Sequence, residues 1–143
     1  SWGLGDLHDL ARGTQLTTIQ NNLAMMADLC VQNKIKPIFA SVLPVSDYHK
    51  DQNPAWEMTK RRPPDQIKSL NQWLKVFCQN RGFTYLDYFT ALADGGGLLK
   101  AEVADDGLHP NAAGYRLMAP LAADAINKTL SGGAAAPSNR KRQ

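Results

Sequence analysis

An α/β domain organised on a parallel sheet is what this sequence predicts, and three observations carry the prediction. Two short stretches, residues 36–43 (KPIFASVL) and 83–88 (FTYLDY), are apolar enough on both faces to be interior strands. A loop and a segment of helical apolar spacing separate them, so strand, helix and strand follow in the order of a βαβ crossover, which should be parallel and right-handed. Further helical segments precede the first strand and follow the second.

Taken in order, residues 1–13 carry three glycines and no period, and read as a loop. Residues 14–33 read as a helix, because Leu16, Ile19, Leu23, Met26 and Cys30 step by three and four. After the first strand, residues 44–64 form a long polar loop around Tyr48, Trp56 and Met58. Loops of that length in a compact domain are often functional, and these three side chains are candidates to line a pocket. Residues 65–80 form the next helix, with Asp65 at the positive end of its dipole and Ile67, Leu70, Leu74 and Phe77 as its stripe; Arg81-Gly82 ends it. Asp87 closes the second strand as a loop or cap residue, 88–94 is a short helix, and Gly95-Gly96-Gly97 is a turn. The last helix spans 111–130, with Tyr115, Met118, Ala122 and Ile126 expected inward. Residues 131–143 (SGGAAAPSNRKRQ) have no stripe and read as a disordered basic tail behind a domain at 1–130.

Composition narrows the function. The 143 residues, 43% apolar and 20% charged, suit one ordinary domain with its own core. The net charge of +3 belongs to Arg140, Lys141 and Arg142, and the remaining 13 basic residues match 13 acidic ones. That leaves no footprint for nucleic acid. No apolar run approaches the roughly 18 residues of a membrane span. Cys30 and Cys78 fall on helical stripes, as buried free thiols do. They do not fix a compartment.

The chemistry concentrates in residues 105–115, DDGLHPNAAGY. Asp106-Gly107 is a turn dipeptide, Pro110 keeps His109 out of helical geometry, and Asn111 can cap the helix that follows. In such a turn the Asp106 carboxylate can accept the Nδ1–H of His109, leaving Nε2 free to take a proton. The same residues also suit a plain loop that opens a helix, and taken alone they leave both readings open. A zinc site is disfavoured, because His109 has no second histidine or cysteine at ligand spacing and His8 and His49 lie far off. Ser41, at the end of the first strand, lacks the Gly-x-Ser-x-Gly elbow of a nucleophile. Gly5-Asp6-Leu7 mimics a Gly-Asp-Ser-Leu block but has leucine where the serine belongs. His8 and Asp9 read as solvated, and Trp2 as a packing residue.

The run from Asp106 to Tyr115 resembles the closing block of the GDSL-type, or SGNH, esterases and lipases, whose Asp-x-x-His supplies two members of a Ser-His-Asp triad. Its spacing selects Asp106 over Asp105. The resemblance covers about residues 14–130, including the SVLP at 41–44, and maps onto the C-terminal half of such a hydrolase. It implies a three-layer α/β/α flavodoxin-like parallel sheet of which only the C-terminal strands and helices are present. It also implies a nucleophilic serine and oxyanion groups contributed by upstream blocks that this sequence lacks. The implied activity is serine-type ester hydrolysis of short acyl esters, acetylated sugars or lipids, without metal or organic cofactor. The implied partners are the ester substrate and the missing N-terminal half. The strand arithmetic agrees without the resemblance, since two interior strands leave edges that need neighbours. The competing expectations are a degenerate half that binds a partner or glycan, and a fragment that docks through its open sheet edge.

Overall fold

The structure, a computed structural model, describes residues 15–132. The expectations for Trp2, the 5–7 mimic, His8, Asp9 and the tail beyond Gly132 lie outside the described residues. The elements are α1 (Leu16–Gln32), β1 (Ile38–Ala40), a 3₁₀ turn (Pro54–Trp56), α2 (Pro64–Arg81), β2 (Thr84–Leu86), α3 (Tyr88–Leu92), a second 3₁₀ turn (Ala101–Val103) and α4 (Ala112–Ser131). β1 and β2 pair in parallel, Phe39 opposite Tyr85, as the βαβ reading requires. The fold class is thus α/β with a small parallel sheet. Among the described residues β1 has one strand partner and its other edge is unpaired. No described helix is long and apolar enough to cross a membrane.

The strands are shorter than predicted, and the cause is visible at Val42. Ser41 still donates its N–H to the Leu86 carbonyl at 2.9 Å. Val42 then leaves the ladder: its N–H donates to Asn71 Oδ1 at 2.7 Å and its carbonyl accepts from Asn71 Nδ2 at 2.8 Å. One buried amide on α2 therefore imitates a neighbouring strand. The chain stays buried from Ser41 to Ser46 although it is no longer a strand. The start of the predicted polar loop is interior, with Val42, Leu43 and Val45 in the core.

Helix phases were partly legible. α1 buries Ile19 and Leu23 as expected, together with Ala27; Leu16 and Met26 pack at the edge of the core. Cys30 is only half-buried, so of the two free thiols only Cys78 is enclosed, and burial pushes its thiol up to about 11. α2 buries Ile67, Leu70, Asn71, Leu74 and Cys78 and is closed by Gly82 at a φ of +70°. Phe77 instead joins a half-buried aromatic cluster, stacked on Trp73 and edge-on to Phe39. α4 is the correction. Tyr115 is 57% and Ile126 49% exposed, Ala122 is half-buried, and the buried residues are Gly114, Met118 and Ala125. The rotation is set by Gly114, where a Cβ would lie 2.8 Å from the Val103 carbonyl oxygen. The helix can approach the second 3₁₀ turn only on that side. Ser131, expected in the tail, is its last residue.

Asn71→Leu should preserve the helix and remove both bonds to Val42. Leaving a buried N–H and carbonyl unpaired should lower unfolding free energy by about 2–4 kcal/mol. A denaturant midpoint equal to wild type would show that Val42 finds other partners.

Candidate active site

The turn between the second 3₁₀ turn and α4 is built around one carboxylate. Asp106 Oδ1 accepts the backbone N–H groups of Leu108 and His109, both at 2.8 Å. This is an Asx turn extended by one residue, and it fixes the carboxylate plane. Oδ2 is thereby aimed at the imidazole, and His109 Nδ1 lies 2.5 Å from it. A carboxylate only accepts, so Nδ1 carries a proton, and in the neutral ring Nε2 then presents a lone pair. Nε2 makes no hydrogen bond to a described residue, and the His109 side chain is 55% exposed against 23% for Asp106. The accepting carboxylate of the pair is sheltered and the basic end of the ring is open.

Gly107 makes the turn possible. Its φ is +75°, and a Cβ there would drive into the Ser46 carbonyl; the Ser46 N–H in return donates to the Gly107 carbonyl at 3.0 Å. The turn is thus seated on the buried continuation of β1. On its far side Asn111 caps α4, accepting from Ala113 and Gly114. Asp105 is occupied in holding that cap, its Oδ1 receiving Asn111 Nδ2 at 2.9 Å. The geometry therefore separates the two adjacent aspartates: Asp106 faces the histidine and Asp105 the helix.

Burial raises the Asp106 carboxyl pKa, but the His109 side chain and the two backbone N–H groups outweigh it. The net result is a carboxyl held below the usual carboxylate range.

The other candidates are placed as follows. Ser41 is fully buried and its hydroxyl accepts the Phe89 N–H at 2.8 Å. It serves the packing of α3. Asp87 caps α3, accepting from the Thr90 N–H and hydroxyl. Tyr48 is exposed and donates to Asp94 Oδ2 at 2.5 Å, a bond that raises the phenol's pKa and lowers the carboxyl's. Trp56 is half-buried against the core, and Met58 is buried within it. The loop carrying them is pinned: Asp47 accepts the Thr59 N–H and hydroxyl at 2.9 and 2.5 Å, and His49 Nε2 lies 3.0 Å from the Ala101 carbonyl.

Sequence reading passed over Asp47, Ser46 and Arg62. Asp47 alone carried a signal, as an acid that can accept from a later threonine across a loop. Burial of Ser46 and Arg62 in a polar stretch left no periodic trace.

The profile of the GDSL-like lipase/acylhydrolase family matches residues 6–117. The chain belongs to that family. Two solved structures support the assignment. A candidate acylhydrolase from Bacteroides fragilis is 31% identical, with a TM-score of 0.74 over 85% of this chain and 58% of its own. A GDSL-like lipase from Bacteroides thetaiotaomicron is 30% identical, with a TM-score of 0.72 over 84% of this chain and 58% of its own. The chain therefore spans a little over half the length of each. No curated protein matches it. At a coarse level the family is one of ester hydrolases.

Two expectations follow from the turn. Gly107→Ala should destabilise the fold by about 2 kcal/mol or more, since it meets both an unfavourable φ and the Ser46 carbonyl. A melting temperature equal to wild type would contradict this packing. For pH, an Asp106 carboxyl depressed on folding contributes stability that is present above the unfolded value of about 3.9 and lost as pH falls through the lower folded value. On acidification the unfolded chain binds that proton first. Asp106→Asn should therefore make the acid-side loss of stability shallower than in wild type, read as denaturant midpoint against pH. Parallel curves for the two proteins would reject the linkage.

Proposed function

We propose that this chain supplies the acid–base pair of a serine-type ester hydrolase. The observation that carries the reading is the 2.5 Å contact from His109 Nδ1 to Asp106 Oδ2 with Nε2 left open. In this reading Nε2 of His109 takes the proton of a serine hydroxyl as its oxygen attacks the ester carbonyl, and later returns it to the leaving alcohol. Asp106 holds the imidazole in the required tautomer and stabilises the imidazolium. Water then hydrolyses the acyl-enzyme by the same route. The reaction needs no metal or organic cofactor.

The nucleophile is proposed to be a serine outside the described residues, contributed with the oxyanion donors by an upstream half of the domain. Three observations support this. Ser41 is buried and engaged with Phe89. β1 keeps an open edge beside an apolar groove lined by Met26, Cys30, Pro37, Ile38 and Phe39. Leu117, Ile126 and Leu130 on α4 are exposed apolar side chains with room for a partner. The substrate is a small acyl ester, or an ester of a sugar or lipid, with Tyr48 and Trp56 proposed to shape its binding surface; Met58, expected beside them, is a core residue.

The test is substitution in the intact hydrolase, assayed with p-nitrophenyl esters. His109→Ala should lower kcat by about 10⁴-fold, roughly 5 kcal/mol of transition-state stabilisation, with little change in melting temperature. Asp106→Asn should lose a large part of that through the wrong tautomer, and Asp105→Asn should leave kcat close to wild type. Equal losses from the two aspartates, or full activity in His109→Ala, would overturn the assignment.

A further inference from the structure

At the end of the sheet where both strands begin, the α1–β1 connection, the start of β2 and the end of α4 enclose an open cleft. Its walls include Val31, Lys34, Ile35, Lys36, Phe83 and Lys128, and no Asp or Glu lines it. The nearest acids along those elements are Asp28, engaged by Arg81 at 2.7 Å, and Asp124, one turn before Lys128 on α4. Val31 and Ile35 are 53% and 57% exposed. Large apolar side chains therefore stand among the lysines, open to solvent.

The backbone holds two of these residues in place. α1 ends in a Schellman closure, in which the Lys34 N–H donates to the Val31 carbonyl at 3.0 Å and the Ile35 N–H to the Cys30 carbonyl at 2.8 Å. Such a closure needs a left-handed residue, most often glycine. Here it is Lys34, at a φ of +58°, and no other non-glycine residue among the described residues has a positive φ. A lysine thus stands where glycine is the easier choice. The residue after it commonly folds its apolar side chain back onto the helix, yet here it is the exposed Ile35. A backbone outlier that folding does not require points to a role at the surface.

We propose that this end of the molecule docks on the surface of an anionic lipid bilayer, with Lys34, Lys36 and Lys128 against headgroup phosphates and Val31 and Ile35 entering the headgroup layer. Charge complementarity selects the partner. A neutral surface would leave three ammonium groups unmatched, and a basic one would repel them. A layer of acidic headgroups matches flexible lysines without a fixed geometry and accepts apolar side chains between them. The sequence continues from Gly132, which also lines the cleft, into residues 133–143, whose only charges are Arg140, Lys141 and Arg142. Docking of this kind needs no spanning helix, and the proposal does not depend on the hydrolase reading. β1 leads away from the cleft toward Ser46, which seats Gly107, so the docked molecule keeps His109 turned to water.

The test is sedimentation of the full chain with phosphatidylcholine vesicles, made with and without phosphatidylglycerol. The chain should bind the anionic vesicles at about 0.1 M salt, bind them less at about 0.5 M, and leave the neutral ones free. Replacing all three lysines (Lys34→Gln, Lys36→Gln, Lys128→Gln) should lower partitioning by about 100-fold, roughly fivefold for each. Ile35→Ser should lower it several-fold, Lys60→Gln in the loop beyond the other end of β1 should match wild type, and a chain ending at Gly132 should still bind. No binding, equal binding to neutral vesicles, or equal losses from Lys60→Gln and a cleft lysine would overturn the proposal. So would binding that survives the triple substitution and vanishes with residues 133–143, which would place it in the tail alone. If the triple variant does not fold, amide exchange in the wild-type chain decides. Anionic vesicles should slow exchange at 33–36 and leave 106–109 unchanged, and unaltered exchange at 33–36 would overturn the docking face.

Discussion

The approach of Gly107 to Ser46 is the constraint on which this structure turns. Two backbones meet there with no room for a Cβ, and a hydrogen bond from the Ser46 N–H to the Gly107 carbonyl holds them together. One of them is the buried run out of β1 and the other the turn that presents Asp106 and His109. Because protein interiors are close-packed, the contact carries the position of the strand into the position of the imidazole. The turn is exposed at His109, yet it is no loose loop: its base is core.

That base is in turn held by a polar residue inside the hydrophobic layer. Asn71 sits on the buried face of α2 and gives Val42 the donor and acceptor that a neighbouring strand would have supplied. An amide can do both at once, and no apolar side chain can do either. The arrangement explains why β1 stops at Ala40 while the chain remains interior to Ser46. It also places the end of the strand, and so Ser46, at a fixed distance from α2.

Electrostatics then divides the labour between neighbours of the same type. Asp105 and Asp106 are adjacent, but one binds a helix cap and the other a ring nitrogen and two backbone N–H groups. The sheltered carboxylate is kept ionised by hydrogen bonds that exist only in the folded turn, while the ring it holds stays open to solvent on its basic side. The division suits proton transfer, in which the orienting group should be rigid and the transferring atom reachable.

The sequence by itself determined the local features, because their partners lie within a few residues of one another. The spacing in Asp106-Gly107-Leu108-His109 pointed to the aspartate that lies against the His109 ring; Asn111 and Asp87 were legible as caps, and the apolar runs marked both strands and their parallel order. Longer-range facts were decided only by the tertiary structure. Nothing near Asn71 says that its amide meets Val42, twenty-nine positions away. Nothing near Arg62 in the chain says that its side chain is buried. The face of α4 was misjudged for the same reason: periodicity defines a stripe, but Gly114 fixes the rotation by how closely the helix can approach Val103. Hydrogen bonds that close within one turn of chain are written in the spacing of residues. Which polar groups are buried, and against what, depends on surfaces that meet only when the chain has folded.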